Sequence, residues 1–326
     1  MRSIIPTRPY ARRMMWAGSA LDREFPAAAP GEERVGEALE VSGLESMPST
    51  AILEGVETSF PRFFEEHRQD LLGPVAASAG ERRFPLLVKR IDAGQDLSVQ
   101  VHPDDELARR REGEPNGKSE AWVVLDAVPG AKVWLGFKPG VGEADIDRVW
   151  GTAAIRDLLR EIPVKAGDAL AVPAGAVHAI GAGVLLYEVQ QPSNVTYRIF
   201  DYDRVDPKTG GKRPLHLEAG RLAIRLGGGH GLAVPRREQP CPGLEVETLV
   251  EMETFGIARW RLRGRTRIPA GRLTVLHVAQ GAVELEAAGE PTVMAGKGRS
   301  VLLPAARREV WVGAKDEAVL LAATTR

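Results

Sequence analysis

Four side chains in the first two-thirds of the chain have the types and spacing for metal chemistry: Gln100, His102, Glu120 and His178. The first two lie in Leu97-Ser98-Val99-Gln100-Val101-His102-Pro103-Asp104-Asp105, where polar and apolar residues alternate. In an extended strand, residues two apart share a face. Ser98, Gln100 and His102 therefore project together, and Leu97, Val99 and Val101 project the other way, towards a core. Two imidazoles, one carboxylate and one amide oxygen form a nitrogen–oxygen site for Zn2+ or another first-row divalent ion. No thiolate is in the set, which argues against a closed structural zinc site. A single carboxylate leaves the centre net positive. Such a centre can act as a Lewis acid, with open positions for water or an oxygen-rich substrate. A Gln-x-His pair is also what the lining of a polar barrel looks like, so spacing alone leaves both readings open.

Other candidate groups have simpler roles. Asp104 and Asp105 follow Pro103 at the start of a short helix or turn reaching Arg111, where capping and the helix dipole favour acidic residues. Capping is expected of them rather than acid–base work. His67 falls on a Glu- and Arg-rich helix and reads as a surface residue, and His216 as an ordinary half-buried one. Cys241 is the single cysteine and sits between two prolines, the pattern of a connector. It can form no internal disulfide, which fits a reducing compartment.

The elements that must position these residues are mostly strands. Phe84 to Ile91, Leu97 to His102, Glu120 to Ala127, Ala131 to Phe137, Ala169 to Pro173, Ala176 to Ile180 and Val184 to Gln190 are short apolar or alternating runs between Gly and Pro turns. That cadence predicts an all-β sandwich or barrel. Helical spacing predicts helices over Thr58 to Leu72, stopped by Gly73-Pro74, and over Gly142 to Glu161, divisible at Gly151-Thr152. Residues 1 to about 54 read as irregular structure with short strands, Glu37 to Val41 among them.

A Gly- and Pro-rich stretch from Gly227 to Pro242 marks a linker. Beyond it, a second series of short strands runs through Leu244 to Leu262, Arg272 to Val278, Val283 to Glu286, Thr292 to Met294, Ser300 to Leu303 and Glu309 to Val312. Lys165-Ala166-Gly167-Asp168 through Pro173-Ala174 has a counterpart in Met294-Ala295-Gly296-Lys297 through Pro304-Ala305, which points to two related barrels. Ala306-Arg307 stand where the first half leads to His178, so the second barrel is expected to hold no metal. The expected division is 1–228, a metal-binding domain with helical insertions, and 229–326, a barrel without a metal site.

With 326 residues and a formal net charge of -1, the chain shows no charge bias towards nucleic acid or an anionic membrane. No apolar run reaches the roughly 18 residues of a spanning helix. Arg12-Arg13 superficially matches a twin-arginine signal. The apolar stretch after it is short and broken by Asp22, Arg23 and Glu24, so a cytoplasmic protein is expected.

Longer motifs add a resemblance. Leu97 to Asp105, then Gly117-Lys118-Ser119-Glu120-Ala121-Trp122, then Val172-Pro173-Ala174-Gly175-Ala176-Val177-His178-Ala179-Ile180, resemble the type I mannose-6-phosphate isomerases of the cupin superfamily. Ser193 to Arg198, Asp201-Tyr202-Asp203-Arg204 and Leu215 to Glu218 extend the match, and Trp16-Ala17-Gly18 and Gly36-Glu37 do so more weakly. The resemblance implies a mainly β protein of two cupin-like jelly-roll β-barrels, with a few short helices packed on the first. It implies a zinc-dependent aldose–ketose isomerase interconverting mannose 6-phosphate and fructose 6-phosphate through an enediol, with one Zn2+ per chain. By motif position the metal ligands fall on Gln100, His102, Glu120 and His178, and the active-site Arg on Arg198. Lys118 matches the family's Lys two residues before the Glu ligand, and Ser98 a Ser of the substrate pocket; Arg198 and Lys118 suit the reacting oxygens or the phosphate, and the Ser hydroxyl can hydrogen-bond a phosphate. Asn194 stands in that pocket where the family commonly has Asp, and Ala38 where it has Trp. An asparagine cannot serve as a carboxylate base, and the sequence does not name the base. The rival is a non-catalytic metal-containing cupin that binds or senses a sugar phosphate. Either way the partner is a small-molecule sugar phosphate, not a nucleic acid or a membrane. The sequence does not set monomer against homo-oligomer.

Overall fold

The computed structural model describes residues 2–27, 29, 31–73, 83–207, 209–227, 231–268, 271–307 and 309–326. The chain forms two compact units. One comprises Met1–Tyr10, Leu39–Val88 and Val234–Arg326, and the other Ala11–Ala38 and Lys89–Ala233. The division is not sequential, because the first unit draws two N-terminal segments into a sheet built mainly by the C-terminal third. The boundary expected at 228/229 lies outside the described residues. As the resemblance implied, the fold is mainly β, with antiparallel sheets and few helices.

The unit carrying the candidate residues contains a five-stranded sheet in the order Leu159–Pro163, Lys132–Phe137, His178–Ile180, Val99–Val101, Tyr197–Phe200. A six-stranded sheet runs Ala169–Val172, Glu120–Ala127, Val184–Gln190, Leu87–Ala93, Val35–Val41, Tyr10–Arg13. Its strands Val35–Val41 and Leu87–Ala93 cross the unit boundary along the chain.

Alternation decides which face is which. Val133 and Leu135 of the five-stranded sheet cluster with Trp122, Val172 and Leu186 of the six-stranded one, so an apolar layer lies between the sheets. Trp134, Val99 and Val101 point the other way and pack with Ile146, Ala219 and Ala223. Those last three belong to the helices Glu143–Val149 and Leu217–Ala223, which cover the outer face. Fully burying Val99, Val101 or Ile146 contributes roughly 1.5–3 kcal/mol each. Gln100 and His102 are thereby turned to the inner side, as their spacing requires. Leu97 departs from expectation: it packs between the sheets with Trp16, because the regular strand starts only at Val99.

The helix expected over Gly142 to Glu161 is three elements: Glu143–Val149, a turn of helix at Ile155–Leu158, and the strand Leu159–Pro163. Trp150 leaves the helical region and Gly151 takes φ +77°, a conformation that favours glycine. From Leu159 the chain pairs with Phe137 and its neighbours, and tertiary pairing overrides the helical periodicity.

The other unit is an eleven-stranded sheet. Phe255–Ile268 and Val310–Thr325 form its spine. On its other edge, Val310 to Gly313 pairs with Ala282–Ala287 and Val319 to Thr324 with Thr274–Gln280, so this strand changes partner midway, as strands do at barrel corners. The N-terminal stretch read as irregular with short strands contributes Ile5–Arg8 and Thr50–Leu53, and Val56–Ser59 follows as a strand where the helix was expected to begin at Thr58; Ile5 lies opposite Leu302. Helix Phe60–Leu72 ends at Gly73 with φ +80°; Pro74 lies outside the described residues. His67 lies against the Phe63 ring, centroids 4.7 Å apart. Among the described residues, no helix is long and apolar enough to cross a membrane.

Candidate metal centre

His102 comes one residue after strand Val99–Val101, Glu120 opens Glu120–Ala127, and His178 opens His178–Ile180. Strand ends are therefore what gather these groups. His178 and Gln100 are Cα partners in adjacent strands, and Glu120 is the partner of both Val172 and Gln190 in the facing sheet. The ligand atoms of His102, Glu120 and His178 lie within 4.8 Å of one another, and all three residues are buried. Glu120 Oε1 is 3.1 Å from His102 Nε2, and Oε2 is 3.7 Å from His178 Nε2.

Backbone carbonyls set both imidazole tautomers. His102 Nδ1 donates to Val195 O (3.0 Å) and His178 Nδ1 to Ala176 O (2.9 Å). Each Nε2 thus keeps its lone pair and directs it at Glu120, the arrangement a metal requires. The Gln100 amide lies 3.2 Å from His178 Nε2. A half-turn of that amide brings Oε1 to the same point and turns Nε2 towards the Ser98 hydroxyl. The donor set fits a divalent first-row ion: neutral imidazoles, an ionised carboxylate and an amide oxygen.

Electrostatics agree with this. Burial, and then the Lys118 ammonium, bring the His102 imidazole down to about 3. Burial likewise lowers His178. Burial works to raise the Glu120 carboxyl, but Lys118 and His102 outweigh it and hold it well below the usual carboxylate range. Lys118 Nζ stands 2.6 Å from Glu120 Oε1 and 3.2 Å from His102 Nε2, so acceptors already converge on positive charge.

Local backbone makes this possible. Gly117 passes so close to the next turn that a Cβ would lie 2.4 Å from the Asp104 carbonyl carbon. Its N–H donates to Asp105 Oδ1 (2.7 Å), and Lys118 N–H donates to Pro103 O (3.0 Å). Asp104 caps the helix Asp105–Glu112 by accepting from Leu107 N–H (2.9 Å). Asp105 instead ties down the Gly117 loop and accepts from Gln191 Nε2 (3.0 Å). Gly175 N–H donates to His102 O (2.9 Å), which fastens the turn before His178 to the other imidazole strand.

The cluster opens on a cavity of about 470 Å³ that Ser98, Gln100, Lys118, Glu120, Asn194 and Arg198 all line. Asn194 is exposed and Arg198 half-buried. His216 is outside that lining and accepts from Arg198 N–H through Nδ1 (3.2 Å).

Sequence reasoning missed a second set of wall residues. Across neighbouring strands of the six-stranded sheet, Arg12 meets Glu37 (2.5 Å), Glu37 lies 3.9 Å from Lys89, and Lys89 meets Glu188 (2.9 Å). Trp122 Nε1 donates to Glu188 Oε2 (2.8 Å) and Glu120 Oε2 (3.2 Å), tying this ladder to the metal cluster. Burial and the Glu120 charge push the Glu188 carboxyl up despite Lys89. Burial opposes the charge on Lys89, yet Glu188 and Glu37 raise it above an ordinary lysine. The available signal was single charges of alternating sign inside apolar strands. Trp122→Phe removes both indole bonds, and affinity for an added first-row divalent ion is expected to fall by about 10- to 100-fold. Competition against a chromophoric chelator reads this; unchanged affinity would show that the indole does not orient Glu120.

Fold and site together define a metal-competent cupin, a β-barrel enzyme scaffold with imidazoles and a carboxylate on its inner face. The phosphomannose isomerase type I catalytic domain matches residues 9–121. Mannose-6-phosphate isomerase ManA of Bacillus subtilis is 33% identical over 304 residues, 91% of each chain. Mannose-6-phosphate isomerase of Streptococcus mutans is 36% identical over 262 residues, 78% of each. The crystal structure of the mannose 6-phosphate isomerase from Bacillus subtilis superposes with a TM-score of 0.87 at 29% identity, covering 99% of both chains. The chain belongs to the type I mannose-6-phosphate isomerase family.

Proposed function

We propose that this chain is a zinc-dependent aldose–ketose isomerase that interconverts mannose 6-phosphate and fructose 6-phosphate. The observation that carries the reading is the convergence of His102, Glu120 and His178, with Gln100 beside them, next to a cavity that Gln100 and Glu120 line together with Lys89, Lys118, Arg198 and Arg213. Gln100, His102, Glu120 and His178 would hold the ion. When bound, it supplies Lewis-acid stabilisation of negative charge on the sugar oxygens.

The chain's own residues do the rest. Isomerisation moves a proton between C1 and C2 through an enediol, so charge develops on O1 and O2. Lys118, beside the ligand cluster, presents an ammonium to those oxygens, and Arg198 is the partner of Gln100 on the next strand. Ser98 and Asn194 offer neutral hydrogen bonds to the sugar. Glu188, with its raised carboxyl and Lys89 alongside, is suited to take and return the carbon-bound proton.

A coupled assay of the zinc-loaded protein with mannose 6-phosphate tests this. Turnover is the expected result. Sugar-phosphate binding without turnover would identify the non-catalytic sensor instead.

A further inference from the structure

The turn Asp201 to Arg204 is strained. Arg204 N–H donates to Asp201 O (3.1 Å), and the two central residues, Tyr202 and Asp203, have φ of +57° and +54°. Two consecutive positive φ values are the mark of a type I′ turn, a place for Asn-Gly. Tyrosine and aspartate carry a Cβ there that crowds the following carbonyl. Strain of this kind persists where the surroundings over-determine it, and functional sites are where it collects.

What the turn secures is the Asp201 carboxylate, whose side chain is 5% exposed. It accepts from Arg204 Nη2 (2.6 Å) and, in a two-point fork, from Arg213 Nε (2.7 Å) and Nη2 (2.6 Å). The third nitrogen of Arg213, Nη1, has no partner among the described residues. Arg198 reaches the same patch. Its Nη1 donates to Pro214 O (3.2 Å), its buried Nε has no partner, and no carboxylate lies within ion-pair distance among the described residues. Three guanidiniums at +1 each against one carboxylate leave a formal +2 on this patch. Arg198 and Arg213 both line the cavity.

Register places the patch relative to the metal cluster. His178, Gln100 and Arg198 are Cα partners in a row across three adjacent strands. Arg198 is thus two strand spacings, about 10 Å, from the His178 position. The Arg213 segment runs beside that edge strand, where His216 N–H donates to Arg198 O (2.8 Å).

We propose that Arg213 is a specificity-determining residue which, with Arg198, clamps the phosphate dianion of the substrate, and that Asp201 is the positioning residue that holds its guanidinium at the cavity wall. This rests on reading the cavity as a sugar-phosphate site. A dianion matches the patch charge, and a planar guanidinium suits phosphate oxygens.

The test compares zinc-loaded wild type with Arg213→Gln, Arg213→Lys and Asp201→Asn. For Arg213→Gln, KM for mannose 6-phosphate and Ki for inorganic phosphate are expected to rise by about 10- to 100-fold. kcat should stay within about threefold. Arg213→Lys should recover part of the loss, and Asp201→Asn should show the same KM-weighted defect in milder form. Unchanged KM and phosphate Ki in Arg213→Gln would overturn the proposal. So would loss of zinc and thermal stability in both Arg213 variants, which would assign the residue to folding. Wild type that neither binds inorganic phosphate nor turns over mannose 6-phosphate would sink the sugar-phosphate reading itself.

Discussion

Replacing His178 with alanine is expected to lower zinc affinity by more than about 100-fold and to leave less than about 1% of isomerase activity. His178 is wholly buried, its tautomer is set by Ala176 O, and its Nε2 faces both Glu120 and Gln100. Alanine removes a donor at the centre of the cluster, and no other imidazole can replace it. His102→Ala should act the same way, whereas His67→Ala, in the other unit, should keep its metal. Metal analysis after gel filtration reads all three, and full zinc content in both site variants would exclude them as ligands. Chelation followed by zinc addition should abolish and then restore activity. The pH dependence follows from the lowered imidazoles. They are already neutral at physiological pH, so zinc affinity should be nearly flat from about pH 8 to 6, where an exposed histidine pair near 6.5 would begin to lose it. The metal-free protein carries the matching stability term. The unfolded chain binds protons below about pH 6.5 that the folded imidazoles refuse, so stability should fall as pH drops below that value.

Arg198→Ala should retain zinc and lose activity by about 100- to 1,000-fold. The guanidinium stands next to Gln100 in register, lines the cavity, and has no carboxylate within ion-pair distance among the described residues. Burial and the neighbouring Arg213 charge lower its affinity for a proton, so the fold bears an unfavourable cation there. Removing it should not destabilise the protein, and the melting temperature serves as the control: it should hold or rise while kcat/KM collapses. Normal kinetics would remove Arg198 from the reaction. Loss of zinc along with activity would move it from the substrate to the support of Gln100.

Much of the candidate cluster of Gln100, His102, Glu120 and His178 was legible in the sequence, because its signal is local. A period of two placed Gln100 and His102 on one face, and the strand does turn Val99 and Val101 to the helices and the polar pair inward. Asp104 was legible as a cap for the same reason: the interaction spans three residues. Asp105 was not, since its partners are Gly117 and Gln191. The helical pattern from Gly142 misled beyond Leu158, where pairing with Lys132–Phe137 outweighs local propensity.

By itself, then, the sequence determined the residue types, the strand faces and the motifs that mark the family. Only the tertiary structure decided which side chains meet. The ladder from Arg12 through Glu37 and Lys89 to Glu188 joins four strands from three separate stretches of chain. Arg213 lines the cavity while its guanidinium is bound to Asp201, twelve residues earlier and beside a turn with two positive φ values. The division into units likewise depends on Ile5–Arg8 finding Ser300–Leu303. The reason is physical: side-chain period is a property of neighbours along the chain, whereas cross-strand partners depend on sheet order and register, which the whole core selects.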